Sequence, residues 1–257
     1  MSFHIIDSHC HWGPSVTLGS GVSTGDLIGQ MEETGIEHAL ILPFPSTAIR
    51  SNEINIRLLD ETKRVERLLP YFYIREDFPL IPHGYYGGKW HWMRGIQDSA
   101  SNYKVLEEKV LPRVIEGLTR IGKPVLFEEE LAFTEQFVRM APDLPLIIPH
   151  LGLLGGNPLD FLRSFKDNPH IYFDTALSTA GTILQFLETI GPERIIFGSD
   201  VPFGSMATEL PKVISLPIPD HEKALVLAGN IIKLAKLPLQ STMPSSTPTG
   251  SFHPLSP

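Results

Sequence analysis

The amino-acid sequence predicts an α/β protein built as a single (β/α)8 TIM barrel. Short apolar runs rich in β-branched and aromatic residues alternate with amphipathic segments, and eight such runs are present. The length of 257 residues is also typical of one barrel. The predicted barrel comprises residues 1–237, and residues 238–257, rich in Pro, Ser and Thr, form a separate C-terminal tail. A doubly wound open sheet is the alternative, although such sheets usually have fewer strands.

Each predicted strand is an apolar run bounded by Gly, Pro or Asp, as expected for strands that are buried on both faces of a parallel sheet. The first run, at 3–11, carries several polar residues, and the fourth, at 90–97, is aromatic with Gly-rich flanks. The remaining runs lie at 38–44, 68–74, 123–128, 144–152, 171–177 and 194–200.

The segments between the strands carry signals for the start and end of helices. A helix predicted at 24–34 follows a Ser/Thr capping signal and ends before Gly35, a typical C-cap residue. A second helix is predicted at 51–67, and Pro112 is expected to kink or divide a third at 105–121. Further helices are predicted at 131–140, 159–165, 179–190 and 221–236.

Composition and charge exclude several classes of function. The formal net charge is −8, and no cluster of Lys and Arg is interleaved with aromatic residues, so nucleic-acid binding is not expected. No apolar run approaches the ~20 residues of a membrane span, and the N-terminus lacks the features of a signal peptide. We therefore expect a cytoplasmic protein with no membrane partner. The single cysteine excludes a disulfide framework and a cysteine-based zinc site.

Residues of metal-binding type stand on four of the predicted strands. His9 and His11 are two residues apart on the first strand and should face the same space. Glu128, His150 and Asp200 end the fifth, sixth and eighth strands, and the carboxyl ends of barrel strands surround one mouth. Taken singly, each could belong to an acidic surface run, a tight turn or a helix cap. Their coincidence at strand ends favours a metal centre.

The motifs around these residues resemble those of the amidohydrolase superfamily. The resemblance is carried by Asp7 with His9 and His11, HLG at 150–152, IIFGSDVPF at 195–203 and LAGNIIKLAKL at 227–237. It covers the chain from about residue 4 to residue 237. It is greatest to the amidohydrolase-related subgroup, which includes enzymes similar to aminocarboxymuconate semialdehyde decarboxylase.

The resemblance implies one divalent metal ion. It implies His9, His11 and Asp200 as ligands, and His150 as the catalytic histidine that polarises the substrate or moves a proton. The fifth strand departs from the family pattern, because KPVLFE ends in Glu128 where the subgroup usually has histidine. A carboxylate can still bind a divalent ion, so we predict Glu128 as a further ligand, with weak or lost metal binding as the alternative. Zinc is the expected ion, and manganese or iron are the alternatives.

The function that the resemblance implies is metal-dependent hydrolysis of a small carbonyl substrate, such as a lactone, an amide or a carboxylic ester. A metal ion lowers the pKa of bound water to roughly 7. Asp200 would then act as general base, and His150 would stabilise the developing oxyanion. The same residues could instead decarboxylate a small unsaturated carboxylate. A barrel that has lost catalysis and only binds a ligand is the third hypothesis.

Substrate contacts are predicted at three further positions. Arg75 follows the third strand and could bind a substrate carboxylate or pair with a neighbouring acidic residue. His91 belongs to a Gly-rich, aromatic segment at 83–92 that we interpret as a lid or as an ordinary surface loop. Gln97 ends the fourth strand as a hydrogen-bond donor. The expected partner is a small-molecule substrate, and a homo-oligomer is left open.

Overall fold

The protein is organised around one mixed β-sheet. A computed structural model describes residues 3–91 and 101–239. Nine strands of this part form the sheet, which curves as a half-barrel, and every neighbouring pair is parallel except the first two in the spatial order. In that order the strands are β2 (Ser20–Val22), β1 (Ile6–Ser15), β3 (His38–Pro43), β4 (Leu68–Tyr73), β5 (Gly87–Trp90), β6 (Val125–Phe127), β7 (Leu146–Ile148), β8 (Ile171–Asp174) and β9 (Ile195–Ile196).

Helices connect most of the successive parallel strands, as the alternating pattern predicts, but residues 74–86, between β4 and β5, contain no helix. Ten α-helical segments occur in the described ranges. They are α1 (Thr24–Thr34), α2 (Pro45–Ala48), α3 (Glu53–Thr62), α4 (Leu111–Ile121), α5 (Leu131–Met140), α6 (Pro158–Phe165), α7 (Ala180–Ile190), α8 (Met206–Ile214), α9 (Asp220–Ala224) and α10 (Asn230–Ala235).

Helix α1 shows how side chains determine the ends of an element. The hydroxyl of Ser23 accepts a hydrogen bond from the Asp26 N–H, and the Asp26 carboxylate accepts one from the Ser23 N–H, which together form a capping box. Gly35 has a φ of +76° and donates its N–H to the carbonyl of Met31, so the helix ends there. The helix predicted at 24–34 is confirmed.

The fourth parallel strand differs from the prediction. It comprises Gly87–Trp90 rather than 90–97, so part of the segment interpreted as a lid or loop is a sheet strand. The glycines let β5 approach its neighbour, since a Cβ atom on Gly87 would lie 2.3 Å from Cε1 of Tyr71. The rest of the predicted strand, at 92–97, lies outside the described residues.

Proline accounts for two features of the helices. The segment at 105–121 is divided near Pro112, as expected: a 3-10 turn at Tyr103–Glu107 precedes α4, and Pro112 lies in the first turn of α4. A proline is tolerated there, because the first N–H groups of a helix have no partner within it. Helix α8 is not predicted from the sequence, since Pro211 lies within it.

Apolar residues cover both faces of the sheet in two buried clusters. Successive residues of β3 alternate between them: Ala39 and Ile41 belong to the larger cluster, and Leu40 and Leu42 to the smaller. This two-sided burial is the reason why the strands appear in the sequence as nearly continuous apolar runs.

Backbone hydrogen bonds also join the segment after β9 to β1. The Asp200 N–H donates to the carbonyl of His9 at 2.7 Å, and the His11 N–H donates to the carbonyl of Val201 at 2.8 Å. Cys10 and Val201 form an isolated parallel bridge. The predicted site residues of the first and eighth strands are therefore adjacent.

The predicted domain boundary at residue 237 stays a prediction. Helix α10 ends at Ala235, and residues 240–257 of the predicted tail lie outside the described residues. None of the helices in the described ranges has the length and hydrophobicity needed to cross a bilayer.

Candidate metal centre

Four of the predicted site residues meet where the middle of β1 lies beside the segments that follow β7 and β9. The ligand atoms of His9, His150 and Asp200 lie within 4.8 Å of one another, and all three residues are buried. Asp200 Oδ1 is 3.2 Å from Nε2 of His9 and 3.2 Å from Nε2 of His11. His9 and His11 therefore face one space, as their spacing on β1 predicts.

The contacts in this group fit a bound divalent ion. Within the described residues, Nε2 of His9 and Oδ1 of Asp200 are buried and have no hydrogen-bond partner, even though they are 3.2 Å apart. Four-coordinate zinc holds its nitrogen and oxygen ligands at about 2.0–2.1 Å, which places the ligand atoms roughly 3.3 Å from each other. Imidazole and carboxylate donors suit zinc, iron and manganese. Both the distances between the donor atoms and their chemical type thus fit a bound divalent ion.

Asp174, at the end of β8, orients two of the histidines. Its Oδ2 lies 2.9 Å from Nδ1 of His9, and its Oδ1 accepts a hydrogen bond from the backbone N–H of His150 at 2.9 Å. A carboxylate behind a metal-binding histidine fixes the ring and its tautomer. Sequence reasoning missed Asp174, although it also is a polar residue at the end of a predicted strand.

Two site residues have a left-handed backbone. His150 and Asp200 both have a φ of +55°, which residues with a side chain rarely adopt. His150 belongs to a 3-10 turn at Pro149–Gly152, directly after β7. This turn brings Nε2 of His150 to 3.1 Å from Oδ2 of Asp200. Backbone conformations of this kind are concentrated at functional sites.

Electrostatic interactions favour an ionised Asp200 and a protonated His150. Burial raises the pKa of the Asp200 carboxyl, but the charge of His9 and hydrogen bonds from His11 and His150 outweigh burial and hold the pKa well below its usual range. Burial lowers the pKa of His150, but its hydrogen bond to Asp200 and the charge of Glu128 raise it above the ordinary value. For His11 burial dominates, and its pKa is lowered.

Glu128 lies directly after β6 and is paired with another charged residue. Its Oε2 accepts a hydrogen bond from Nζ of Lys89 at 2.5 Å and lies 3.6 Å from Nδ1 of His91. Among the described residues, Glu128 does not join the group of His9, His150 and Asp200. Its role as a metal ligand therefore stays a prediction. Sequence reasoning also missed Lys89, a lysine within the buried strand β5.

The three predicted substrate contacts have different outcomes. Arg75 donates from Nη1 to the carbonyl of Ala48 at 2.7 Å, and its Nε lies 3.5 Å from Oδ1 of Asp77. The pairing with a neighbouring acidic residue is thus present, and a contact with substrate stays a prediction. His91 lies beside Glu128, and its contact with substrate is likewise a prediction. Gln97 lies outside the described residues.

Two aromatic rings lie against the imidazole of His11. Phe44 is buried and stacks on the imidazole with ring centroids 4.7 Å apart. Phe203 meets the same imidazole edge-on at 5.4 Å, and 55% of its surface is exposed. Ligand sites in proteins are commonly lined by apolar and aromatic side chains around a few polar groups. An exposed ring thus stands next to the candidate metal centre.

The comparison of sequences identifies a family. Residues 77–237, more than half of the chain, match the family model described as amidohydrolase. This range contains Glu128, His150 and Asp200, and the histidines of β1 precede it. No curated protein sequence matches the chain.

Solved structures share the fold over nearly the whole chain. An amidohydrolase from Burkholderia multivorans with bound zinc is 14% identical, with a TM-score of 0.74, covering 91% of this chain and 100% of its own. A dihydroxybenzoic acid decarboxylase from Polaromonas sp. JS666 with bound manganese is 14% identical, with a TM-score of 0.73. The alignment covers 93% of this chain and 98% of the decarboxylase. A protein named as a 2-pyrone-4,6-dicarboxylic acid hydrolase from Pseudomonas putida is 17% identical, with a TM-score of 0.69. The alignment covers 93% of this chain and 100% of that protein.

At these identities the structural likeness concerns the fold, and the sequence match supplies the family. The resemblance inferred from the strand-end motifs is confirmed by that match. The chain therefore belongs to the amidohydrolase family and is an enzyme of the amidohydrolase type.

Proposed function

We propose that the protein is a metal-dependent hydrolase of a small carbonyl substrate, such as a lactone, an amide or a carboxylic ester. The observation that carries this proposal is the position of Asp200 among three histidines. Its Oδ1 lies 3.2 Å from Nε2 of both His9 and His11, and its Oδ2 lies 3.1 Å from Nε2 of His150. A carboxylate placed in this way can bind an ion with one oxygen and exchange a proton through the other.

His9, His11 and Asp200 would hold the divalent ion, with Asp174 orienting His9. When bound, the ion supplies a Lewis acid that polarises a carbonyl oxygen and makes water more acidic near neutral pH. Zinc is the ion that we propose, and manganese or iron would suit the same donors. The zinc and manganese bound by the two relatives support a divalent ion in general.

Asp200 and His150 would divide the proton transfers between them. Asp200, whose pKa is low, is ionised at neutral pH and can accept a proton from the water that attacks the carbonyl carbon. His150, whose pKa is raised, can donate a hydrogen bond to the oxygen on which negative charge develops. Because both residues are buried, these interactions are stronger than they would be in bulk water. The same pair can return the proton to the leaving group.

We also propose that the sheet closes as a (β/α)8 barrel of residues 1–237, with the candidate metal centre at its carboxyl-end mouth. The hydrogen bonds between β1 and residues 200–201 and the bridge of Cys10 with Val201 support closure. Structural likeness that covers more than nine tenths of the chain also supports it.

Decarboxylation of a small unsaturated carboxylate is the second candidate function. The fold shared with a dihydroxybenzoic acid decarboxylase favours it. The rings of Phe44 and Phe203 beside His11 also favour it, because aromatic side chains pack well against a planar substrate. In this reaction His150 would deliver a proton to the carbon that loses carbon dioxide.

Metal analysis and product analysis together test these proposals. Protein purified without chelators should contain about one equivalent of divalent metal, and His9→Ala and Asp200→Ala should lose it. We expect proton release from lactones or esters without carbon dioxide, and a kcat lowered about 100-fold or more in His150→Asn with its metal retained. Carbon dioxide released from unsaturated carboxylates would instead support the second candidate. A wild-type protein without metal and without either turnover would contradict both.

A further inference from the structure

Lys89 is a buried charged residue to which the proposed function gives no role. It lies on β5 with its side chain fully buried, and its ammonium group donates to Glu128 at 2.5 Å. An ammonium group has three N–H donors and is strongly hydrated in water. Its complete burial beside a carboxylate therefore carries a desolvation cost, which the attraction of the pair offsets only in part. A role in the arrangement of the site explains this pair better than a gain in stability.

Glu128 lies at the end of the strand next to the one that leads to His150. It follows β6, and the neighbouring strand β7 leads into the turn that carries His150. Burial raises the pKa of Glu128, whereas the charges of Lys89, His91 and His150 lower it, and the result lies well below the usual range. Glu128 is therefore an anion at neutral pH, and an ionised carboxylate near a divalent ion is a strong candidate ligand.

The direction of the carboxylate is nevertheless set by the lysine. Oε2 of Glu128 is 2.5 Å from Nζ of Lys89 and 3.6 Å from Nδ1 of His91. Among the described residues, Asp200 pairs with His9, His11 and His150, whereas Glu128 pairs with Lys89 and His91. The ammonium group of Lys89 is thus the cation that holds this carboxylate.

We propose that Lys89 is a positioning residue that keeps Glu128 from binding the metal ion. The protein ligands are then His9, His11 and Asp200, and positions remain open for water and substrate, as in catalytic zinc sites with three protein ligands. This inference rests on the metal centre of the proposed function. In this arrangement Glu128 is not the further ligand that the sequence predicts.

The affinity for Mn²⁺, measured by isothermal titration calorimetry on the metal-free full-length protein, tests this inference without any activity assay. Glu128→Gln should bind Mn²⁺ within about threefold of the wild type, because no ligand is lost. Lys89→Met should bind it about tenfold more tightly or better, because the freed carboxylate can join the site. The double variant of Lys89→Met and Glu128→Gln should return to the wild-type affinity.

Three results would overturn the inference. A tenfold or greater loss of Mn²⁺ affinity in Glu128→Gln would show that Glu128 is a ligand. Unchanged affinity in Lys89→Met, with a wild-type circular dichroism spectrum, would show that the lysine does not restrain it. If Lys89→Met does not fold, Lys89→Gln replaces it, because the amide removes the charge but keeps a hydrogen-bond donor. Lys89→Gln should then also bind Mn²⁺ more tightly than the wild type. The third result, a wild-type protein that binds no Mn²⁺, would contradict the metal centre itself.

His9→Ala separates the inference from the proposed function. This variant should lose Mn²⁺ binding whether Lys89 and Glu128 are present or replaced, because it removes a ligand of the proposed centre. If His9→Ala behaves in this way while the Lys89 or Glu128 variants do not behave as expected, the proposed function stands and only the inference fails.

Discussion

Nδ1 of His9 lies 2.9 Å from Oδ2 of Asp174, although the two residues are 165 positions apart in the chain. The other oxygen of the same carboxylate accepts the backbone N–H of His150. One fully buried side chain thus sets the positions of two residues that we assign to metal binding and proton transfer.

Asp174→Asn should weaken metal binding about 10- to 100-fold. The amide cannot provide the negative charge that makes the His9 ring a better ligand, and its NH₂ group would face an N–H donor. Calorimetric titration with Mn²⁺ measures the change. Asp143→Asn is the control, because that carboxylate is 78% exposed and should leave the affinity unchanged. Equal affinities of Asp174→Asn and the wild type would rule out this orienting role.

The pair of Lys89 and Glu128 should give non-additive changes in stability. Lys89→Met leaves a buried carboxylate without its partner and should lower the free energy of unfolding by about 3–5 kcal/mol in the metal-free protein. Adding Glu128→Gln should recover much of this loss. Urea denaturation provides the measurement. Lys63→Met, which removes an exposed ion pair with Asp60, should cost less than about 1 kcal/mol. If the double variant loses as much stability as the two single variants together, Lys89 and Glu128 are not coupled.

Gly152→Ala should destabilise the protein by about 2–4 kcal/mol. The residue has a φ of +90°, and a Cβ atom there would lie 2.3 Å from Cδ2 of Phe161. Thermal and urea unfolding measure the loss. Gly29→Ala is the matched control: it lies within α1 with nothing within 4 Å of its added Cβ, so a gain of about 0.5–1 kcal/mol is expected. A neutral Gly152→Ala would contradict the tight packing of this turn.

Phe203→Ala should raise KM for substrates with an apolar or planar group about fivefold or more, without changing the metal content. Its ring is exposed beside His11, so truncation removes surface that can contact substrate but no metal donor. Ile56→Ala, which shortens an exposed apolar residue of α3, is the control. A change in kcat alone, with KM constant, would be inconsistent with a binding contact.

Protonation of His38 should lower the stability as the pH decreases below about 6.5. Burial and the neighbouring His4 lower the pKa of His38 below the value of about 6.5 that it has when unfolded. The unfolded state thus binds more protons, and the stability present above that value is lost as the pH falls through the folded pKa. Urea denaturation at pH 7 and pH 5 should show that the change to pH 5 is less unfavourable for the stability of His38→Gln than for that of the wild type. Gln185→Ala, which changes an exposed residue of α7 and no titratable group, should keep the wild-type pH dependence.

The residues that the sequence could predict are those whose position in a strand determines where they point. His9 and His11 share a face because side chains alternate along a strand, and His150 and Asp200 follow apolar runs whose ends meet. Asp174 ends such a run as well, but its importance depends on a histidine 165 residues away.

Other features depend on contacts that no local pattern carries. The role of Lys89 follows from its pairing with Glu128, 39 residues along the chain, and a lysine in a strand predicts no particular partner. The position of β5 depends on how closely Gly87 approaches Tyr71, a property of two strands together. Such distances are set by tertiary packing.

The left-handed backbone at His150 and Asp200 bears on how this protein could be engineered. Each of these conformations costs a residue with a side chain on the order of 1–2 kcal/mol relative to glycine. The protein is therefore less stable with His150 and Asp200 than it would be with glycine at these two positions. Selection for heat resistance alone would accept glycine at either position and lose the imidazole or the carboxylate. Conversely, the surrounding hydrogen bonds hold both side chains in place before any substrate arrives, so little reorganisation is left for the reaction itself.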